Sequence, residues 1–207
     1  MQLSQQLGAA LKAQDATVTT AESCTGGWVA KVITDIAGSS AWFERGFVTY
    51  SNEAKEQLIG VDGATLAAHG AVSEPVVRQM ALGALNAAAA SYAVSVSGIA
   101  GPDGGTPDKP VGTVWFGFAD NQGRVEARVQ RFDGNRDSVR RQATAFALQT
   151  LWQHFIQNTC MCMLIQYNCT NETNSQRGAI GLTLHDRSKN GYRRKQAEGV
   201  GGSTRPD

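Results

Sequence analysis

The sequence predicts a single α/β domain of three layers, built around a mixed β-sheet. Helical and strand patterns alternate over the first hundred residues, as they do where helices connect parallel strands. Two further strands follow each other around a D-N-Q-G turn, which adds an antiparallel hairpin. Hydrophobic residues make up 42% and charged residues 18% of the chain, and this balance favours a packed domain over a disordered chain.

The first three elements place a serine between a strand and a helix. Residues 3–12 have apolar side chains at helical spacing, and residues 17–20 are β-branched, as in a short strand. A helix is predicted from the T-G-G of residues 25–27 to a stop at Gly38. The apolar face of this helix comprises Val29, Val32, Ile33 and Ile36. Ser23 therefore lies at a strand-to-helix junction.

The middle of the chain continues the alternation. Residues 42–50, rich in aromatic and β-branched side chains, predict a second strand, and short helices are expected over residues 53–59 and 63–69. The S-E-P sequence puts proline in the first turn of a helix that runs through an Ala-rich stretch to about residue 90. The alternating Y-A-V-S-V-S of residues 92–97 predicts the third strand.

The last part of the body contains a loop, a hairpin and a helix. Residues 98–112 are rich in glycine and proline and are expected to form a loop. Strands over residues 113–119 and 124–132 pair as the hairpin. Residues 135–156 predict a long final helix, whose inner face carries apolar side chains every three or four residues.

Composition divides the chain into a body and a tail. Residues 1–159 carry a net charge of −2 and contain all four tryptophans, whereas residues 160–207 carry +3 and lack hydrophobic periodicity. We expect residues 1–159 to form the domain and residues 160–207 to be a basic, disordered tail. Translation past a shifted stop codon is one origin for such a segment.

Charge and hydropathy limit the partners of the protein. A net charge of +1 gives no strong electrostatic case for binding nucleic acid, and no apolar run is long enough to span a bilayer. The first ten residues lack the basic and apolar blocks of a secretion signal, and Cys24 is the only cysteine of the body. We therefore expect a cytoplasmic protein with no specific nucleic acid partner and no membrane association.

A first candidate for chemistry is the sequence S-C-T-G-G at residues 23–27. Backbone N–H groups in the first turn of a helix are free to bind an anion, and the helix dipole favours negative charge there. A serine hydroxyl at this place could attack a substrate whose oxyanion is held by those N–H groups. The alternative is that Ser23 only caps the helix.

A second candidate is T-Y-S-N-E-A-K at residues 49–55. Tyr50 ends a predicted strand, and Lys55 lies about one turn into the next helix. A lysine whose pKa is lowered by burial or by another cation can act as a general base towards a nearby serine. The alternative is a surface lysine and a core tyrosine.

A third candidate is the loop that begins S-G-I-A-G-P-D-G-G at Ser97. A 15-residue Gly/Pro loop inside a compact domain is unusual unless it serves a site, although a long surface turn is the alternative. The sequence lacks both the G-K-[ST] of a P-loop and the G-x-G-x-x-G of a dinucleotide fold. His69, His154 and His185 are scattered, so a metal site and a Ser-His-Asp triad are both disfavoured.

Together, the three motifs resemble the C-terminal domain of the competence/damage-inducible CinA proteins, and in particular the stand-alone bacterial amidohydrolases of that family. The resemblance covers residues 3–158 and rests on A-E-S-C-T-G-G, F-x-R-G-F-V-T-Y-S-N-E-A-K and S-G-I-A-G-P-D-G-G followed by K-P-V-G-T-V, in this order. It implies that the protein hydrolyses the carboxamide of nicotinamide mononucleotide to nicotinate mononucleotide and ammonia. It also implies that no metal or other cofactor is needed, and that the protein is a homodimer.

The resemblance also implies roles for individual residues. The family's serine, tyrosine and lysine fall on Ser23, Tyr50 and Lys55, so that Ser23 attacks the amide carbon while Lys55, assisted by Tyr50, takes its proton. Cys24 is an alternative nucleophile. The candidates for binding the oxyanion or the substrate are Thr25, Gly26, Gly27, Arg45, Asn52, Gly101, Gly104 and Gly105. Of these, Arg45 and the 101–105 loop are expected to hold the phosphate or the ribose.

Three other functions compete with this interpretation. A non-catalytic nucleotide-binding module would bind ligand without turnover, and would still bind it after Ser23→Ala. An interaction protein of competence or DNA repair agrees with the family's name, but the net charge of −2 on the body argues against direct DNA binding. An amidase for another pyridine carboxamide would use the same catalytic residues with a differently shaped pocket.

Overall fold

The structure, a computed structural model, describes residues 2–157, and these form one five-stranded sheet with helices on both faces. The strands are β1 Val18–Glu22, β2 Phe43–Val48, β3 Tyr92–Gly98, β4 Thr113–Asp120 and β5 Val125–Arg131. The helices are α1 Gln2–Ala13, α2 Trp28–Thr34, α3 Asn52–Ile59, α4 Gly63–His69, α5 Glu74–Ala88 and α6 Arg136–Thr150. A 3₁₀ turn occupies Ser39–Ala41, and a π-helical segment, Leu151–Ile156, continues α6.

The sheet is mixed, as the sequence predicts. Its strand order is β2-β1-β3-β4-β5, with β1 parallel to both β2 and β3, and with antiparallel pairing from β3 to β5. At the end of β1, Glu22 lies beside Val48 of β2 and Val96 of β3. The segments that follow these three strands therefore meet at one edge of the sheet, where α/β proteins commonly bind ligands.

Helices cover the sheet on both faces and complete the three layers. On one face, α1, α2 and α6 bury Leu7, Ile33 and Val139 against Phe116 and other apolar residues of the sheet. On the other face, the Ala-rich α5 lies against the sheet together with α3 and α4. Their buried side chains include Ile59, Leu66, Val76, Val77 and Met80. The burial of both faces leaves the loops at the strand ends as the places where function can be built.

Two of the boundaries that differ from the prediction bear on the site. Strand β1 runs two residues further, to Glu22, because all five of its residues are buried and the strand therefore shows no alternation that would mark its end. Helix α2 is shorter than predicted and begins only at Trp28. Gly26 and Gly27 precede it with φ of 60° and 92°, a left-handed conformation that excludes them from the helix.

The predicted tail, residues 160–207, lies outside the residues that the structure describes. Within residues 2–157, no helix is both long and apolar enough to cross a membrane.

Candidate active site

The three motifs converge at the carboxyl edge of the parallel strands. Ser23 directly follows β1, Thr49 and Tyr50 follow β2, and the loop of residues 99–112 follows β3. Ser23 is partly exposed, and its N–H donates to the carbonyl of Val96 (2.9 Å), so the sheet itself fixes the backbone of the serine.

The side chains of Lys55 and Ser23 meet at this edge. Lys55 Nζ lies 3.4 Å from Ser23 Oγ, 2.8 Å from the carbonyl oxygen of Thr49 and 3.4 Å from that of Ser51. Ser51 caps α3 by accepting a hydrogen bond from the N–H of Ala54, which sets Lys55 one turn into the helix. Lys55 is only 1% exposed, so the alternative of a surface lysine is wrong.

Burial changes the acidity of this lysine. Removal of the ammonium from water lowers the pKa of Lys55 below its ordinary value, and the nearby thiol of Cys24 opposes the shift only in part. Among the residues that the structure describes, no carboxylate forms an ion pair with Lys55. The amine is therefore held by two carbonyls and one hydroxyl, in surroundings that favour its neutral form.

Glu22, which the sequence analysis overlooked, caps α2. Its buried carboxylate accepts hydrogen bonds from the N–H groups of Gly27 (3.0 Å), Val29 (3.0 Å) and Ala30 (2.8 Å). The alternative role of Ser23 as the cap is therefore wrong, since Gly27 occupies the N-cap position and Glu22 binds the amides of the first turn. An acidic residue shortly before a helix start is the signal that could have identified it.

Most of the backbone donors considered for the oxyanion are already engaged. The N–H of Gly26 donates to the carbonyl of Ser23 (3.0 Å), and that of Gly27 donates to Glu22. This leaves the amides of Cys24 and Thr25 next to Ser23. Neither the Cys24 N–H nor the Thr25 N–H has a hydrogen-bond acceptor among residues 2–157. Of the predicted donors Thr25, Gly26 and Gly27, Thr25 is thus the one whose N–H is not already engaged.

Two arginines of α6 reach the site, and neither was foreseen from the sequence. Arg140 donates from Nε to the carbonyl of Cys24 (3.0 Å) and from Nη2 to the carbonyl of Thr25 (2.8 Å). Arg136 donates from Nη1 to the carbonyl of Gly101 (2.9 Å) and from Nη2 to the hydroxyl of Tyr50 (2.9 Å). Both contacts span long stretches of sequence, so no local pattern marks them.

Tyr50 faces outward at the mouth of the site. Its side chain is 60% exposed, and its hydroxyl accepts the hydrogen bond from Arg136. Within the described residues, no hydrogen bond links the phenol to Ser23 or Lys55. The geometry therefore gives Tyr50 a position from which to contact a bound substrate, and it leaves Lys55 as the group in contact with the serine hydroxyl.

Arg45 does not lie at this site, contrary to the expectation from sequence. Its guanidinium donates to the carbonyl of Ala87 (3.1 Å) and pairs with Glu44 (2.8 Å). Its own carbonyl accepts from Thr19, four residues before Ser23, which amounts to about 13 Å along a strand. Arg45 cannot reach a phosphate beside Ser23, because it points towards the opposite end of the parallel strands.

The remaining candidates line the rim. Asn52 is exposed at the first residue of α3, and Gly104 and Gly105 are exposed in the 99–112 loop. Gly101 is buried with φ of 81°, and a Cβ there would come within 2.6 Å of Val111. Only glycine fits this position, which presents the carbonyl of Gly101 to Arg136.

Cys24 is buried beside Ser23, but its environment suppresses its reactivity. Burial, together with a smaller contribution from the neighbouring Glu22 carboxylate, raises the pKa of the Cys24 thiol to about 12. The nucleophile in cysteine chemistry is the thiolate, which such a pKa nearly eliminates at neutral pH.

We therefore expect Cys24→Ala to keep activity within about threefold of wild type, because removal of an unreactive thiol leaves the Ser23–Lys55 pair in place. Iodoacetamide alkylates reactive thiols, and at pH 7.5 it is expected to leave the catalytic rate of the wild type unchanged. Product formation measured before and after treatment checks this. Rapid inactivation of wild type, with the Cys24→Ala variant resistant to the reagent, would contradict this prediction.

Within residues 2–157, no group of three or more His, Cys, Asp or Glu side chains could hold a metal ion. The groups that meet at this site are the Ser23 hydroxyl, the Lys55 amine, the Tyr50 phenol, the backbone amides of the 23–27 turn and two guanidinium groups.

Comparisons with known proteins agree with the motifs. The sequence profile of the CinA C-terminal domain matches residues 1–155. A curated relative, the nicotinamide-nucleotide amidohydrolase PncC of Escherichia coli strain K12, is 76% identical over 159 residues, which cover 77% of this chain and 96% of the relative. The protein of the same name from Pseudomonas putida is 52% identical over 151 residues, which cover 73% and 94%.

Solved structures give the same answer for the fold. The crystal structure of the competence/damage inducible protein CihA from Agrobacterium tumefaciens matches with a TM-score of 0.71 and 44% sequence identity. The match covers 72% of this chain and 92% of that one. The predicted α/β fold with its mixed sheet and the resemblance carried by the three motifs are both confirmed, and the chain belongs to the CinA C-terminal domain family.

Proposed function

We propose that this protein is an amidase that hydrolyses nicotinamide mononucleotide to nicotinate mononucleotide and ammonia. The proposal combines the identity to nicotinamide-nucleotide amidohydrolases with one observation, the three partners of Lys55 Nζ. A neutral amine has two N–H donors and one lone pair. The two carbonyls can accept the donors, so the lone pair is available to the hydroxyl of Ser23.

In the proposed acylation, Lys55 takes the proton of Ser23 as Oγ attacks the carboxamide carbon. The separation of 3.4 Å is longer than a good hydrogen bond and is expected to shorten when substrate is bound. The oxyanion of the tetrahedral intermediate accepts from the Thr25 N–H. Lys55 then returns its proton to the amide nitrogen, the carbon–nitrogen bond breaks, and ammonia leaves an ester on Ser23.

Hydrolysis of the ester uses the same groups in reverse. The neutral Lys55 takes a proton from water, and the resulting hydroxide adds to the ester carbonyl. Collapse of this second intermediate expels Ser23 Oγ, which recovers a proton from Lys55, and nicotinate mononucleotide is released. The cycle ends with serine and neutral lysine restored.

Arg136 is our candidate for holding the phosphate or the ribose, in place of Arg45. Its guanidinium lies at the mouth of the site between Tyr50 and the carbonyl of Gly101, and no carboxylate among the described residues pairs with it. An arginine bound only to neutral groups keeps its charge available for an anion.

We expect Arg136→Ala to raise KM for nicotinamide mononucleotide about 10- to 100-fold and to change kcat much less, since a charge-assisted hydrogen bond contributes about 1.5–3 kcal/mol. Initial rates are measured with the nucleotide and with nicotinamide riboside, which lacks the phosphate. A comparison of the two substrates separates the contribution of Arg136 to phosphate binding from its contribution to ribose binding. Arg45→Ala serves as the matched arginine control and should leave KM unchanged. An equal rise in KM for both variants would contradict the assignment.

The test of the function itself is ammonia release from nicotinamide mononucleotide by the purified protein, without added metal and with or without chelator. The amidase releases ammonia in both conditions. A non-catalytic nucleotide-binding module would bind the nucleotide and release none. We further propose that the enzyme works in the cytoplasm and has no specific nucleic acid partner. We also propose that it is a homodimer, which a measurement of its mass by light scattering tests.

A further inference from the structure

Arg140 makes contacts that differ from those of several other arginines in the described part of the chain. Arg78, Arg124 and Arg141 each pair with a carboxylate, whereas Arg140 uses Nε and Nη2, one edge of its guanidinium, on the carbonyls of Cys24 and Thr25. The guanidinium carbon also lies 4.9 Å from the centre of the Trp28 ring. A full positive charge is thus directed at two consecutive peptide groups of the turn that follows the nucleophile.

These two contacts fix the direction of the amides in that turn. In a trans peptide, the carbonyl and the N–H of the next residue point in opposite directions. Because Arg140 holds the carbonyls of Cys24 and Thr25, the N–H groups of Thr25 and Gly26 point away from it. The Gly26 N–H does so and donates to the carbonyl of Ser23 (3.0 Å), so the backbone carbonyl of Ser23 lies on the side that faces away from Arg140.

The other end of the turn is held by Glu22. Its carboxylate, on a residue only 1% exposed, binds the N–H groups of Gly27, Val29 and Ala30. The backbone between Ser23 and Gly27 is therefore held by a cation on its carbonyls and by an anion on its amides. Of the two N–H groups that point away from Arg140, that of Thr25 is without an acceptor among residues 2–157.

We infer that Arg140 is a positioning residue for the oxyanion site: it holds the Cys24–Thr25 peptide so that the Thr25 N–H points at the developing oxyanion. A guanidinium on the carbonyl of this peptide also polarises it and strengthens its N–H as a donor. Arg140 itself touches no reacting atom. This inference rests on the proposed function, because it assigns a role in the same acyl transfer.

The test compares Arg140→Gln and Arg140→Lys with wild type, and uses Arg141→Gln as the matched control. Arg141 is the next residue of α6, lies 5.3 Å from the same Trp28 ring and pairs with Asp137, so its replacement removes a neighbouring charge without touching the turn. Loss of an oxyanion donor typically lowers kcat about 10²- to 10³-fold. For a donor that is misdirected but still present, we expect Arg140→Gln to lower kcat about 10- to 100-fold.

Two readouts separate positioning from a merely structural role. KM for nicotinamide mononucleotide should stay within about threefold of wild type, because the contact acts in the transition state. The rate ratio of this substrate to its thioamide analogue should fall in Arg140→Gln, since an oxyanion site shaped for oxygen discriminates against sulfur. Arg140→Lys, which can reach one carbonyl, should recover part of kcat, and it carries the test if the glutamine variant does not fold.

Each result decides a different question. If wild type is active and Arg140→Gln matches Arg141→Gln in kcat and in the thioamide ratio, this inference is wrong and the proposed function stands. A loss of kcat with an unchanged thioamide ratio would also overturn it, because that loss reflects general damage to the fold. Wild type that releases no ammonia from the nucleotide would overturn the proposed function, and this inference with it.

Discussion

Ser23→Ala is expected to lower the release of ammonia from nicotinamide mononucleotide by a factor on the order of 10⁴ or more, while the protein stays folded. Removal of the nucleophile of a serine hydrolase leaves only the contributions of the oxyanion site and of substrate binding. Because Ser23 Oγ contacts Lys55 at the partly exposed edge of the sheet and no cap depends on it, its loss costs little stability.

The measurement is kcat by ammonia assay together with substrate affinity by calorimetry. Affinity within a few-fold of wild type would show that the site survives, and Cys24→Ala, one residue away, serves as the active control. Turnover that persists in Ser23→Ala and disappears in Cys24→Ala would identify Cys24 as the nucleophile in place of Ser23. Turnover that persists in both variants would show that neither Ser23 nor Cys24 forms an acyl-enzyme.

Lys55→Met is expected to lower kcat by about 10² to 10⁴, the usual contribution of a general base, and to raise stability at neutral pH by on the order of 1 kcal/mol. Burial makes the folded protein bind the Lys55 proton less tightly than the unfolded chain does. Methionine fills a similar volume without a charge. A gain in stability that accompanies a loss of activity is common where a buried polar group serves catalysis.

The lowered pKa also gives the sign of two pH dependences. Between the folded pKa of Lys55 and its unfolded pKa near 10.4, the unfolded chain binds more protons, so this lysine makes the free energy of unfolding rise with pH in that window. The rate should likewise rise with pH through the folded pKa, because only the neutral amine accepts the proton of Ser23.

Urea unfolding of wild type and Lys55→Met at pH 7 and pH 9 checks the stability, and kcat/KM from pH 6 to pH 10 checks the chemistry. The stability difference between the two proteins should shrink at the higher pH. Lys55→Arg, which stays protonated, should be inactive across the whole range. Equal stabilities at both pH values, or an active Lys55→Arg, would contradict a neutral lysine in the site.

The residues of the candidate site that could be proposed from the sequence are those that have a local signature. Ser23 and Lys55 each lie at a strand-to-helix junction, and the parallel pairing of β1 with β2 brings the two junctions together. The sequence did not show whether a side chain of β2 approaches the carboxyl end of the strand, where the site lies, or the opposite end. Arg45 was misjudged for this reason, since it lies within the strand and not beyond its end.

The groups that the sequence did not reveal act through the tertiary structure. Arg136 and Arg140 extend from α6 to Tyr50 and to the turn after Ser23, across 86 and 115 or more residues of chain. No spacing rule covers such distances. Glu22 was hidden for another reason: β1 is buried along its whole length, so no alternation indicated that the strand extends to its polar last residue.

The most direct test of the account is partitioning by hydroxylamine. If Ser23 forms an ester with the nicotinoyl group, hydroxylamine competes with water for that ester. The yield of the hydroxamate of nicotinate mononucleotide should then rise with the concentration of hydroxylamine. We expect mass spectrometry to detect this product with wild type and not with Ser23→Ala. Ammonia release by wild type with no hydroxamate at any hydroxylamine concentration would contradict a covalent role for Ser23.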